Sequence, residues 1–145
     1  MAAGELRLGL IGLGTVGSSV VQLLTRNADA ITRKTGRGLR FTTVASRSLH
    51  TKPHPDLGTA RTGTDPFAVV RDPDVEVVIE LIGGIEPARS LVLEALTRGK
   101  PVVTANKALL ALHGEEIFAA AEKAGVPISF EAGVAGGIPI IRTLR

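Results

Sequence analysis

The sequence predicts an α/β fold built on a doubly wound parallel sheet, and two observations carry that prediction. Short apolar runs rich in β-branched residues recur along the 145 residues, separated by helix-length segments with one apolar face. That alternation suits parallel strands joined by right-handed crossovers. The second observation is a glycine cluster set between the first apolar run and the first amphipathic segment.

Leu6, Leu8, Leu10 and Ile11 form an apolar run with little polar alternation, as in a strand buried on both faces. After the glycines, Val16, Val20, Leu23, Leu24 and Ile31 recur at helical spacing, which predicts one helix over residues 15–33. Gly36 and Gly38 punctuate the chain before a second strand over residues 39–45, where Phe41, Thr42, Thr43 and Val44 favour extended backbone. Residues 46–65 hold Pro53, Pro55, Gly58 and Gly63 and read as a long surface loop. Pro66 opens a short helix, and residues 75–81, with Val77, Val78 and Ile79, supply a third strand. Pro87 then starts a helix with Leu91, Val92, Ala95 and Leu96 on its apolar face, and Gly99 ends it. Residues 101–104 are a fourth strand. Ile117, Ala120, Ala121 and Ala124 mark the next helix, Gly125 closes it, and residues 126–130 form a fifth strand.

Bulk properties narrow the class. With 44% hydrophobic residues, a chain of this length buries one sizeable core. The net charge of +3 comes from 17 basic residues without a Lys/Arg run, and four Phe stand with no Tyr or Trp. Nucleic acid is therefore not the expected partner, since basic tract and stacking platform are both lacking. The absence of Cys excludes a disulfide scaffold and a thiolate zinc site and suits a cytoplasmic location. No membrane role is expected, because the run at residues 8–13 is too short to span a bilayer, is broken by glycine and follows no basic segment. His50, His54 and His113 lack metal-ligand spacing. Glu115, Glu116 and Glu122 read as a polar helix face, and Asp72 and Asp74 as turn residues around Pro73.

Gly12, Gly14 and Gly17 match G-x-G-x-x-G with a strand before and a helix after. The first glycine permits the tight turn, the second lets backbone approach a pyrophosphate, and the third lets helix and strand pack closely. Amides near Thr15 and Val16 would face the anion at the helix N-terminus. This is the pattern of a Rossmann-like dinucleotide-binding unit; a glycine-rich turn without a ligand is the plainer alternative. An NAD site usually carries an acidic residue at the end of the second strand to bind the ribose 2′-hydroxyl. Here Ala45, Ser46, Arg47 and Ser48 occupy that place. Arg47 can pair with a 2′-phosphate through its planar guanidinium, which favours NADP over NAD; a solvated surface arginine is the other reading.

Three further segments narrow the family: Glu80-Leu81-Ile82-Gly83-Gly84, the run from Val102 through Thr104-Ala105-Asn106-Lys107 to Ala111, and Phe130-Glu131-Ala132-Gly133-Val134-Ala135-Gly136-Gly137-Ile138-Pro139. With Gly12-Leu13-Gly14-Thr15-Val16-Gly17, they resemble the N-terminal half of homoserine dehydrogenase, over nearly the whole chain and in the same order. The resemblance implies an oxidoreductase that interconverts L-homoserine and L-aspartate 4-semialdehyde with NAD(P), in the route to threonine and methionine. It implies that Leu13, Thr15 and Val16 lie along the cofactor phosphates, that Ile82 and Gly83 border the adenosine or ribose, and that Ala105 and Lys107 lie near the nicotinamide. Lys107 is then the candidate catalytic residue, an ammonium able to stabilise negative charge developing on a carbonyl oxygen. From spacing alone the plainer reading, a lysine capping a turn or exposed on the next helix, prevails. The resemblance also implies a monovalent cation, commonly sodium, at positions Glu131, Val134, Gly136 and Ile138, where glycines let carbonyl oxygens converge. The same turn reads as a hinge.

The expected organisation is an NAD(P)-binding domain over residues 1–131, with residues 132–145 a hinge and the start of a substrate and dimerisation domain. The resemblance implies a homodimer for the full-length protein and substrate-binding residues in that second domain, so this chain is expected to bind cofactor without efficient turnover. Two other functions fit less of the sequence. A related sugar or amino-acid dehydrogenase tends to carry Glu-Lys-Pro where this chain has Asn106-Lys107-Ala108, and a stand-alone NADP sensor would bind nucleotide yet ignore homoserine.

Overall fold

The computed structural model describes residues 4–133. Among them, six strands alternate with helices: β1 (Leu6–Ile11), α1 (Thr15–Arg26), α2 (Ala28–Thr35), β2 (Leu39–Ala45), β3 (Arg61–Gly63), α3 (Pro66–Arg71), β4 (Val77–Glu80), α4 (Ala88–Thr97), β5 (Val102–Thr104), α5 (Lys107–Ala124) and β6 (Ile128–Ser129), followed by a 3₁₀ turn at Glu131–Gly133. Every strand pair is parallel, in the order β3-β2-β1-β4-β5-β6. This is the Rossmann-like doubly wound sheet that the alternation predicts. The chain winds outward from β1 through β2 to β3, then returns to place β4 on the other side of β1. Ligands bind at such a reversal, beyond the carboxyl ends of the strands. Here the reversal lies between β1 and β4, with Ile11 opposite Glu80.

A core covers each face of the sheet. On one, Ala88, Leu91, Val92, Ala95 and Leu96 of α4 are fully buried against Val69 and Val70 of α3, Leu109 and Ile117 of α5, and Val78 and Val102 of the sheet. On the other, Val21 of α1 packs with Leu8, Leu10, Leu13, Val44 and Ile79. Each such Val, Leu or Ile side chain contributes about 1.5–3 kcal/mol by leaving water. The opposite, amino-terminal edge of the sheet is laced with charge. Arg7 and Arg37 pair with Glu76 at 3.1 and 3.4 Å, and Arg61 pairs with Asp72 and Asp74 at 2.5 and 3.0 Å. Asp72 also accepts the Thr43 hydroxyl hydrogen bond, and its carbonyl accepts one from Lys100 Nζ at 2.5 Å. Asp72 is thus far more than a turn residue.

Three elements depart from the sequence reading. The helix predicted over residues 15–33 is two, because the Asn27 side chain turns back to donate to the Leu23 carbonyl (2.8 Å) and its own amide bonds the same oxygen. An asparagine that competes for helix carbonyls ends a helix readily. The loop predicted over residues 46–65 contains β3, a three-residue edge strand held to β2 by backbone pairing of Thr43 with Arg61 and Ala45 with Gly63. Helix α5 begins at Lys107, well before the apolar positions that predict it, because Asn106 caps it with Oδ1 accepting from Leu109 N–H (3.1 Å). A kink at His113 separates its two halves. No helix among the described residues is long and apolar enough to cross a membrane.

Candidate cofactor-binding site

The three motif glycines do different things. Gly12 leaves β1 at φ +105°, a conformation that disfavours side chains, and a Cβ there would sit 2.9 Å from the Leu81 carbonyl oxygen of the neighbouring turn. Its amide donates to the Ala45 carbonyl at 2.8 Å, which ties the turn to the end of β2. At Gly17 a Cβ would fall 1.9 Å from the Gly12 carbonyl oxygen, so α1 crosses the turn at a distance only glycine permits. Gly14 contrasts with both: its φ of −71° is open to any residue, and a Cβ there would meet nothing within 4 Å. That open space lies at the N-terminus of α1, where no side chain caps the helix and no acidic residue stands in the first turn. Unpaired amides and the positive end of the helix dipole suit an anion there, and a phosphate fits where a Cβ would intrude.

The ends of β4 and β5 complete the crevice. A cavity of about 220 Å³ is lined by Val16 from α1, Ile82 and Gly83 after β4, and Ala105 and Asn106 after β5. Val16 and Ile82 are exposed apolar walls, whereas Leu13 is buried in the core. Glu80 also lines the cavity, although its side chain has no solvent-accessible surface. Its Oε1 accepts from the amides of Ile82 (2.9 Å) and Gly83 (3.4 Å), and its Oε2 accepts from the Thr104 hydroxyl (2.7 Å). Asn106 donates its amide to Thr104 Oγ1 (3.1 Å) and its Nδ2 to the Gly84 carbonyl (2.7 Å). Sequence reasoning flagged the segments that hold Glu80, Thr104 and Asn106 but did not foresee the hydrogen bonds that join these three residues.

The family model for the NAD binding domain of homoserine dehydrogenase matches residues 12–131. The chain belongs to this family. Curated homoserine dehydrogenases from Pseudomonas aeruginosa and Bacillus subtilis are 49% and 45% identical over 96% and 97% of this chain. The chain spans about a third of their length, 32% in each case. A crystal structure of a homoserine dehydrogenase from Thiobacillus denitrificans, 51% identical, matches 99% of this chain and 33% of its own with a TM-score of 0.90. A hyperthermophilic archaeal homoserine dehydrogenase in complex with NADPH shares the fold, with a TM-score of 0.75 at 21% identity over 97% of this chain and 48% of its own.

Within the homoserine dehydrogenase NAD-binding fold, the remaining sequence-derived residues fall as follows. Thr15 stands exposed at the first position of α1, beside the open space at Gly14. Arg47 is exposed just beyond β2, next to the glycine turn. The two serines around it form a compact turn, with Ser46 Oγ 3.0 Å from Ser48 Oγ and accepting from the Ser48 amide at 3.3 Å. Lys107 is exposed at the first position of α5, directly after Asn106, and so stands at the rim rather than in the wall of the cavity. Of the cation positions, Glu131 opens the 3₁₀ turn, while Val134, Gly136 and Ile138 lie outside the described residues. A second, larger groove of about 640 Å³ runs between β2, β3 and α3. Its cations are already partnered: Arg61 by Asp72 and Asp74, and Arg71 by Glu94 at 2.8 Å.

Proposed function

We propose that this chain is the cofactor-binding part of an NADP(H)-dependent oxidoreductase that interconverts L-homoserine and L-aspartate 4-semialdehyde. The observation that carries this reading is the uncapped, open N-terminus of α1 at Gly14, in a chain of the homoserine dehydrogenase family. In this reading Gly12, Gly14 and Gly17 form the pyrophosphate turn, and the amides of Leu13, Thr15 and Val16 bind the phosphates. Arg47, with Ser46 and Ser48, binds the 2′-phosphate as a planar, permanently charged donor. The complex of the archaeal relative with NADPH supports a nicotinamide dinucleotide of this kind.

A bound nicotinamide would supply or accept the hydride. Reduction of the semialdehyde places negative charge on the carbonyl oxygen, and the Lys107 ammonium at the start of α5 offsets it and assists proton delivery to that oxygen. Ile82, Gly83 and Ala105 exclude water from one side of the ring. Residues 1–131 are read as the NAD(P)-binding domain, and 132–145 as a hinge towards a substrate and dimerisation domain of a cytoplasmic homodimer. A monovalent cation, sodium, would be held by Glu131, Val134, Gly136 and Ile138.

Titration of the chain with NADPH and NADH tests the cofactor assignment. NADPH binds at least tenfold more tightly, about 1.4 kcal/mol, and Arg47→Ala erases the difference. A tenfold preference for NADH overturns the role of Arg47, and failure to bind either nucleotide overturns the functional reading as a whole.

A further inference from the structure

A carboxylate with no accessible surface is costly unless its charge is answered, and among the described residues no Lys or Arg side chain bonds Glu80. The sheet itself does not ask for it: the preceding positions, Val78 and Ile79, fill the same buried strand with apolar side chains. What the carboxylate does is visible in the direction of its hydrogen bonds. Asn106 N–H donates to Thr104 Oγ1, and the threonine gives its single hydroxyl hydrogen to Glu80 Oε2. From the other side the amides of Ile82 and Gly83 converge on Oε1. Asn106 closes the circuit through the Gly84 carbonyl and, with its own Oδ1, caps α5.

The turn at residues 82–84 needs such a clamp. Gly83 and Gly84 both take positive φ, +71° and +74°, and Cβ atoms built there would touch nothing, so packing does not hold the turn in place. Its outer surface, Ile82 and Gly83, is one wall of the cavity, and Ala105 and Asn106 are another. Both walls therefore hang on the same buried carboxylate, as does the first residue of α5, Lys107.

We propose that Glu80 is a positioning residue of the dinucleotide site, joining the turn at residues 82–84 to residues 104–106 so that both cavity walls and the start of α5 are set as one unit. The proposal rests on the reading of this crevice as a dinucleotide site. Thr104 is the informative position, because valine preserves shape and strand preference while cutting the link, and serine restores the hydroxyl.

The test is NADPH binding to the full chain, followed by the fluorescence of the dihydronicotinamide. It compares E80Q, T104V and T104S with L96V, which loosens the core in the last turn of α4, the end farther from the crevice. T104V and E80Q weaken NADPH binding about fivefold or more, as expected for a lost bond to a buried carboxyl oxygen, whereas T104S binds within about twofold of the unsubstituted chain. L96V lowers the melting temperature without weakening binding. Unchanged NADPH affinity in T104V overturns the proposal even if E80Q fails to fold, as does an equal loss of affinity in L96V at matched stability. Failure of the unsubstituted chain to bind NADPH overturns it together with the dinucleotide reading, so the two failures are distinguishable.

Discussion

Alanine at Gly17 and alanine at Gly14 add the same methyl group to the same turn, and the structure sets opposite outcomes for them. At Gly17 the new Cβ would lie 1.9 Å from the Gly12 carbonyl oxygen, where real Cβ contacts essentially never fall below 3.0 Å. The obstacle is backbone, so relief requires the start of α1 to retreat from β1 by about an ångström, disturbing the packing of Val21 against Leu10 and Val44. Overpacking of this kind costs about 3 kcal/mol. For a domain of this size that lowers the melting midpoint by about 10 °C. At Gly14 the backbone already lies at φ −71°, ψ −163°, and the methyl meets nothing within 4 Å. Stability then changes by less than about 1 kcal/mol, because the loss of a favoured helix cap is offset by a stiffer unfolded chain. The methyl instead occupies the space assigned to the pyrophosphate, and NADPH affinity falls at least tenfold, about 1.4 kcal/mol. Thermal denaturation and NADPH titration of both variants separate the effects. A Gly17→Ala chain that melts with the unsubstituted protein, or a Gly14→Ala chain that binds NADPH equally well, refutes the division of labour within the turn.

Two further outcomes concern stability alone. Leu91→Ala, at a fully buried position where α4 meets the sheet, lowers the free energy of unfolding by about 2–5 kcal/mol in urea titration, far beyond a surface substitution. The Glu76 carboxyl is held below its ordinary value of 4.5, first by the Arg7 amide and then by the Arg7 guanidinium, and that of Glu94 is lowered chiefly by Arg71. Carboxyls lowered on folding stabilise fully above their unfolded value, and that stabilisation is lost as pH falls through the folded one. The melting temperature should accordingly decline below pH 4.5, and more shallowly in Glu76→Gln; an identical acid limb in that variant refutes the assignment.

What the sequence disclosed follows the strength of local signals. The second strand stands where Phe41, Thr42, Thr43 and Val44 place it, because aromatic and β-branched residues favour the pleated, buried half of that strand. Strand β3 left no such trace: three residues, Arg61, Thr62 and Gly63, lie at an edge and are recruited by the backbone of β2. The glycine turn was legible because its three glycines fall within six residues at a fixed spacing, although only Gly12 and Gly17 answer a steric demand and Gly14 meets no neighbour. Glu80 was not, since its partners are 2, 3 and 24 positions away and the bonds form only when β4 and β5 lie side by side. Lys107 stood out by its neighbours in sequence, yet its place at the rim depends on Asn106 starting α5 there.

The contrast between the two ends of the sheet has a consequence for how the domain breathes. Its amino-terminal edge is stitched by Arg7, Arg37 and Arg61 to Glu76, Asp72 and Asp74. At the carboxyl end, glycine turns are joined by the hydrogen bonds of Glu80, Thr104 and Asn106, and Arg89 pairs with Glu86 and Glu116. Amide exchange is accordingly expected first at the start of α1, where no side chain caps the helix. Under the proposed dinucleotide reading, bound cofactor is expected to slow exchange most at residues 12–17 and 82–84 while leaving the far edge nearly unaltered.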